Sequence, residues 1–218
     1  MKKTFLLFLI FLCANYWVLG ETYTHTIGAK TWSAYGTQTL SGINWSAAAT
    51  GGAYWGYDAT KGQQFGSSGA PATLLTLTTS GFSGTITTVK VSSSGASSVV
   101  ATLTVAVGGT TFSPSSVTLT ATNTEYTFTG SSSGEILITW SQTSSKALYL
   151  KKLEVIYTPP ISAPTTPASS ITFGDITTSG MTPLWTNGDG SKRIVIMNTS
   201  SSFTNPTDGT DPTANPVY

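Results

Sequence analysis

The sequence predicts an all-β protein of the antiparallel sandwich or jelly-roll kind, and three observations carry that expectation. Ser and Thr number 29 and 41 among the 218 residues, with 22 Gly besides, whereas a helical bundle would be rich in Ala, Leu, Glu and Lys. From Glu21 to Tyr157, β-type segments recur about every ten residues between Gly and Ser turns, with no amphipathic helical period. Finally, 6 Trp, 9 Tyr and 9 Phe supply the apolar area of a packed core at a formal net charge of +1, which argues against a disordered chain. Only 9% of residues are charged, against roughly 25% in ordinary domains. Ten scattered cations form no basic stripe, so nucleic acid is not an expected partner.

Residues 1–20 read as a secretory signal peptide. Met1-Lys2-Lys3 is a basic start, Thr4 to Leu12 an apolar run too short to span a bilayer, and Val18-Leu19-Gly20 a cleavage site before Glu21. Membrane contact is expected only through this peptide during export. The single cysteine, Cys13, lies inside it, behind Phe11 and Leu12 rather than the small residue a lipidation site wants. The mature chain then has no thiol, which excludes disulfides, a Cys nucleophile and thiolate metal sites.

Residues 21–158 are expected to form one sandwich module. Leu74 to Thr78 is a strand, and Ile86 to Val91 another with mixed apolar spacing; Ser92 to Ser98 reads as turn-rich. Val99 to Val107 alternates with period two, the mark of a strand with one buried face. Gly108-Gly109 signals a hairpin into Thr110 to Phe112. Val117 to Leu119, Tyr126 to Phe128, Ile136 to Trp140 and Ala147 to Tyr157 complete the series. Residues 159–166 carry prolines and read as a stiff, extended linker. Residues 167–218 begin a second β unit, with segments at Ile171 to Ile176, Met181 to Trp185 and Lys192 to Met197.

The I-T-F opening, Trp185, the stretch WTNGDGSKRIVI and PTDGTDPTAN from Pro206 to Asn215 make residues 167–218 resemble the first half of a fibronectin type III domain. The resemblance implies a truncated immunoglobulin-like sandwich of the variety found in large exported modular proteins of bacteria. Pro183 departs from the pattern by removing a ladder donor. KGQQFGSSGAPATLLTL, GTITTVKVSSSGAS, LTVAVGG and KALYLKKLEVIY make the first module resemble galactose-binding-like sandwiches, which implies glycan binding or packing beside a catalytic domain.

No catalytic constellation emerges from the residues. His25, the single histidine, follows the cleavage point closely and would lack an obvious triad. Gly81-Phe82-Ser83-Gly84-Thr85 fails as a nucleophile elbow at its last position. Glu21, Asp58, Glu125, Glu135 and Glu154 are isolated along the chain, with no pair marked for glycoside hydrolysis. Asn187 to Lys192 lacks phosphate-loop spacing, and Asp208 with Asp211 offers too few acids for most calcium loops. No cofactor or metal is expected.

What remains is aromatic. Trp32, Tyr35, Trp45, Tyr54, Trp55 and Tyr57 crowd into residues 32–57 among interspersed glycines. Indole and phenol faces dock sugar rings, and nearby amides and hydroxyls take the sugar hydroxyls. Trp32 and Trp45 are expected in the core, whereas Tyr54 and Trp55, being adjacent, must face opposite sides of a strand. The candidate ligand-binding set is Tyr54, Trp55, Tyr57, Asp58, Gln63 and Gln64, with Asn44 as a further polar group. The expected function is that of a non-catalytic adhesion or glycan-binding module of a secreted or cell-surface protein, with a polysaccharide or surface glycan as partner. Two alternatives stand beside it: an accessory piece of a larger secreted enzyme, and a hydrolase or lyase using Asp58, Lys61 or a tyrosine.

Overall fold

A computed structural model describes residues 20–52, 54–160, 165–178 and 180–189. The signal peptide, the segment Lys192 to Met197 and the stretch Pro206 to Asn215 lie outside the described residues. The chain divides into two compact units, one of them Trp17–Pro160.

The larger unit is built from strands β1 (Glu21–Thr26), β2 (Gly36–Leu40), β3 (Ile43–Gly51), β4 (Trp55–Asp58), β5 (Gly62–Phe65), β6 (Ala72–Thr79), β7 (Thr85–Gly95), β8 (Ala101–Val107), β9 (Thr110–Thr111), β10 (Val117–Thr118), β11 (Thr124–Ser132), β12 (Ile136–Gln142) and β13 (Leu148–Thr158). They form two antiparallel sheets. The first runs β11-β7-β13-β5-β4, with β1 also on β13; the second runs β10-β8-β12-β6-β3-β2, with β9 on β8. From β6 to β8, and again from β11 to β13, each successive strand crosses to the opposite sheet. The result is a β-sandwich, and no helix occurs among the described residues.

Alternation builds the core. Ala101, Leu103, Val105 and Val107 are buried along β8, Ile136, Ile138 and Trp140 along β12, and Leu148, Leu150, Leu153 and Val155 along β13. Trp32, Trp45 and Trp140 are fully buried, and each indole finds an acceptor for its N–H, as a buried polar group must. Trp32 Nε1 donates to Gly36 O at 3.1 Å, Trp45 Nε1 to the Tyr23 hydroxyl at 3.2 Å, and Trp140 Nε1 to Ser93 Oγ at 2.9 Å. The last of these spans the two sheets.

Two local departures from simple alternation have visible causes. Ile86, Val89 and Val91 are all buried despite their uneven spacing, because the β7–β13 register shifts between Ile156 and Tyr157. Such a bulge inserts an extra residue and resets which side faces inward. The serine run is a correction: β7 continues through Gly95, so Ser92, Ser93 and Ser94 are buried strand residues rather than a turn. Their pairing with Glu125, Thr124 and Tyr149 holds the backbone extended where composition alone suggests a loop.

β13 is the spine of the first sheet. One edge pairs with β7 throughout; the other is shared by β5 opposite Leu148 to Leu150 and β1 opposite Lys152 to Tyr157. At the junction Lys151 sits on a bulge, and its ammonium donates to Ile27 O at 3.2 Å and Ala59 O at 2.8 Å, tying the two segments together.

The outer faces differ in charge. On the first sheet Glu154 receives Lys90 at 2.7 Å and Lys152 at 2.9 Å, and Glu125 receives Lys152 at 3.3 Å. The strands of the second sheet contain no charged residue at all.

In the other unit, β14 (Ser169–Thr177) and β15 (Gly180–Thr186) form an antiparallel hairpin in which Phe173 pairs with Pro183. The Asp189 carboxylate accepts from Thr165 Oγ1 at 2.6 Å and from Thr166 N at 2.9 Å, anchoring the chain before the hairpin to the chain after it.

Candidate functional site

The site is organised by the β4–β5 hairpin, whose turn is specified locally. Asp58 Oδ1 accepts from Thr60 N and Lys61 N, both at 2.8 Å, the side-chain-to-backbone pattern of an Asx turn. Those two N–H groups, Lys61 first, hold the Asp58 carboxyl below the ordinary aspartate range. Gly62 follows at φ +88°, where a Cβ would stand 2.1 Å from Leu150 O. Only glycine permits both that conformation and that approach of β5 to β13.

Gln63 is fully buried, and its amide is wholly occupied. Oε1 accepts from Thr31 N at 2.8 Å and Trp32 N at 3.0 Å; Nε2 donates to Trp32 O at 3.2 Å and Gln64 O at 3.0 Å. It anchors the loop carrying Trp32 and has no face left for a ligand. This corrects its placement among the ligand-binding residues, because the unsatisfied backbone of that loop claims the amide first.

Strand alternation separates the remaining candidates. Trp55 pairs with Phe65 and turns inward, its ring edge-on to Tyr35 at 4.3 Å and to Phe65 at 5.7 Å. Tyr57 lies on the same side two residues on, 38% exposed, with Lys151 Nζ 6.0 Å from its ring centre. Tyr54, Gly56 and Asp58 belong to the opposite side. There Gly56 pairs with Gln64, Gln64 with Tyr149 and Tyr149 with Ser94, one row crossing four strands.

That row is where groups converge. A Cβ on Gly56 would lie 2.8 Å from Gln64 Oε1 and 3.2 Å from Tyr54 Cε1, so the ring and the amide meet above bare backbone. Tyr54 is 47% exposed. Gln64 Nε2 donates to Gly66 O at 2.9 Å, which fixes the amide with its oxygen toward Gly56. Lys61 Nζ stands 5.1 Å over the Tyr149 ring and donates to Gly95 O at 3.3 Å. Burial, followed by the nearby Asp58 carboxylate, pushes the Tyr149 phenol up. Ser94 Oγ beside it is buried without a partner. Tyr149 is the residue that sequence reading missed: it is out of phase with Leu148 and Leu150 but in phase with Leu153, and only the bulge at Lys151 puts it on the outer side.

Other candidates lie apart. Asn44 is exposed on β3 in the second sheet, where its Oδ1 accepts from Thr39 Oγ1 at 2.7 Å. His25 Nδ1 is 2.9 Å from Ser41 Oγ, and partial burial lowers its imidazole pKa. Among the described residues no three of His, Cys, Asp and Glu are grouped to hold a metal ion.

No protein-family model matches the chain, and no curated protein matches it. Among solved structures it is similar to a family two carbohydrate esterase from Cellvibrio japonicus, at 14% identity and a TM-score of 0.33, over 68% of this chain and 38% of that one. It is also similar to dimeric latent PorU from Porphyromonas gingivalis, at 12% identity and a TM-score of 0.27, over 68% and 14% of the two chains. The chain therefore spans well under half the length of either protein. The chemistry of the site is read from its own residues.

Proposed function

We propose that the larger unit is a non-catalytic glycan-binding or adhesion module of an extracellular modular protein, and that Tyr54, Gly56, Gln64 and Tyr149 form its binding surface. The observation that carries the reading is the half-exposed Tyr54 ring standing beside a fixed amide oxygen over Gly56. A ring face takes the apolar side of a sugar, and the amide, the free oxygen of Asp58 and the Lys61 ammonium take its hydroxyls. Tyr57 and Trp55 support the hairpin from its other side. Four of the unit's five carboxylates are engaged in structural work, leaving Glu135: Asp58 in its turn, Glu125 and Glu154 with lysines, Glu21 with the Tyr157 hydroxyl. That arrangement favours recognition over acid–base chemistry. The secretory start of the sequence and the fibronectin type III resemblance of residues 167–218, with I-T-F in β14 and Trp185 in β15, favour an exported, multi-domain setting.

The test is retention of the full mature chain on immobilised neutral polysaccharides and a glycan array. Tyr54→Ala is expected to weaken the retained glycan about tenfold, the worth of one well-placed ring contact, while leaving the thermal unfolding midpoint unchanged. Absence of retention on every glycan, or retention indifferent to Tyr54→Ala and Gln64→Ala, refutes this assignment. Release of reducing ends from a retained polysaccharide refutes the non-catalytic reading.

A further inference from the structure

The outer face of the second sheet carries a separate pattern. Thr76, Thr139 and Thr104 stand side by side on β6, β12 and β8, in one unbroken register. The neighbouring row runs Leu74, Ser141, Thr102, Thr118 and the other Thr78, Leu137, Ala106. Neighbours are thus about 4.8 Å apart across strands and about 6.7 Å apart along them. Threonine is stiff at χ1, so Thr76, Thr78, Thr102, Thr104, Thr118 and Thr139 each present a methyl and a hydroxyl at a fixed place, whereas Leu74, Leu137 and Ala106 present apolar groups alone. Among the described residues the hydroxyls of Thr78, Thr102, Thr104 and Thr139 have no hydrogen-bond partner, whereas that of Thr76 donates to Ala48 O at 3.3 Å. The first sheet, by contrast, holds Lys90, Glu125, Lys152 and Glu154 on its outer side.

We propose that this uncharged threonine face is an ice-binding surface. An ionised side chain holds its own hydration shell and opposes incorporation into a neutral lattice of water, and this face has none. Rigid hydroxyls along the Thr76, Thr139 and Thr104 row, with Thr102 and Thr78 on the rows that flank it, offer lattice sites to water, and the apolar groups among them order the water they cannot bond. Sugar is the poorer fit, because no aromatic ring faces outward here: Trp45 and Trp140 both point into the core. The pattern spans adjacent strands without a bulge between β6, β12 and β8, as a lattice partner requires.

The experiment measures ice recrystallisation and partition into a growing ice front for the full mature chain, against serum albumin at equal concentration. The chain is expected to slow recrystallisation and enter the ice, and Thr139→Lys to reduce both at least tenfold. Thr24→Lys, on the outer side of the first sheet, is expected to leave both unchanged. Should Thr139→Lys fail to fold by circular dichroism, the exposed position Thr102→Lys replaces it with the same expected loss. Behaviour equal to albumin overturns the proposal, and so does equal loss in the Thr24→Lys protein. Retention on microcrystalline cellulose that Thr139→Lys abolishes, without any effect on ice, assigns the face to a polysaccharide instead and overturns ice as the occupant.

Discussion

The two sheets of the sandwich contribute to one core but face solvent on different terms. The first is broken along β13, where β1 and β5 share an edge, and the lysine of the junction, Lys151, must hold two segments together. It carries the ion cluster, the Asx turn and the Tyr54–Gly56–Gln64 row. The second sheet has an unbroken order of strands, no charged strand residue and a threonine-rich outer face of uncharged side chains. Irregularity supplies converging, chemically different groups, which suits recognition of a single molecule. Regularity supplies an even field of hydroxyls and apolar groups, which suits an extended surface. The inner faces show no such divergence, because both obey the same demand to bury Leu, Val, Ile and Trp.

Substitutions can break this contrast at graded cost. Trp140→Ala removes the indole that reaches from the second sheet to Ser93 in the first, and about 3–5 kcal/mol of stability is expected to go with it in urea titration. Next comes Gln63→Leu, which orphans the backbone amides of Thr31 and Trp32 and the Trp32 carbonyl inside the protein. A loss of about 2–4 kcal/mol is expected. Gly62→Ala, confined to the first sheet, forces a side chain onto Leu150 O at positive φ and should cost more than about 1 kcal/mol. A glycine-to-alanine change at the exposed Gly69, where a Cβ meets nothing within 4 Å, serves as its control.

The smallest effect is electrostatic. Hydrogen bonds from Lys90, then Lys152, hold the Glu154 carboxyl below the ordinary glutamate range. A depressed carboxylate contributes stability above its unfolded pKa and loses it as pH falls through the folded value. The wild-type protein should therefore lose slightly more stability than Glu154→Gln between pH 7 and pH 3. The difference should be under about 1 kcal/mol, since the cluster is solvent-screened. Urea midpoints at both pH values check this; an equal fall in the two proteins would show the cluster to be stability-neutral.

Much of the fold was legible in order. Leu103, Val105 and Val107 announce β8 by alternation, Gly108-Gly109 its hairpin, and Leu153 with Val155 the inner side of β13. The serine run was not legible, because Ser92 to Ser94 have turn composition and become strand through partners remote in sequence on β11 and β13. The same holds for the site. Tyr54 and Gln64 stand out as surface aromatic and amide, yet Gln63 beside Gln64 is indistinguishable from it in type. A loop more than thirty residues earlier takes Gln63 into the interior.

By itself, the sequence determined that this chain makes strands, which residues alternate, and that hydroxyls far outnumber titrating groups. These follow from composition and from the period of two that a pleated strand imposes. Tertiary structure alone decided which sheet each strand joins, and so placed every charge of the larger unit's strands on one sheet and none on the other. It also brought Tyr149 beside Gln64 across more than eighty residues. Register between distant strands depends on the packing of a whole core, and no local pattern records it.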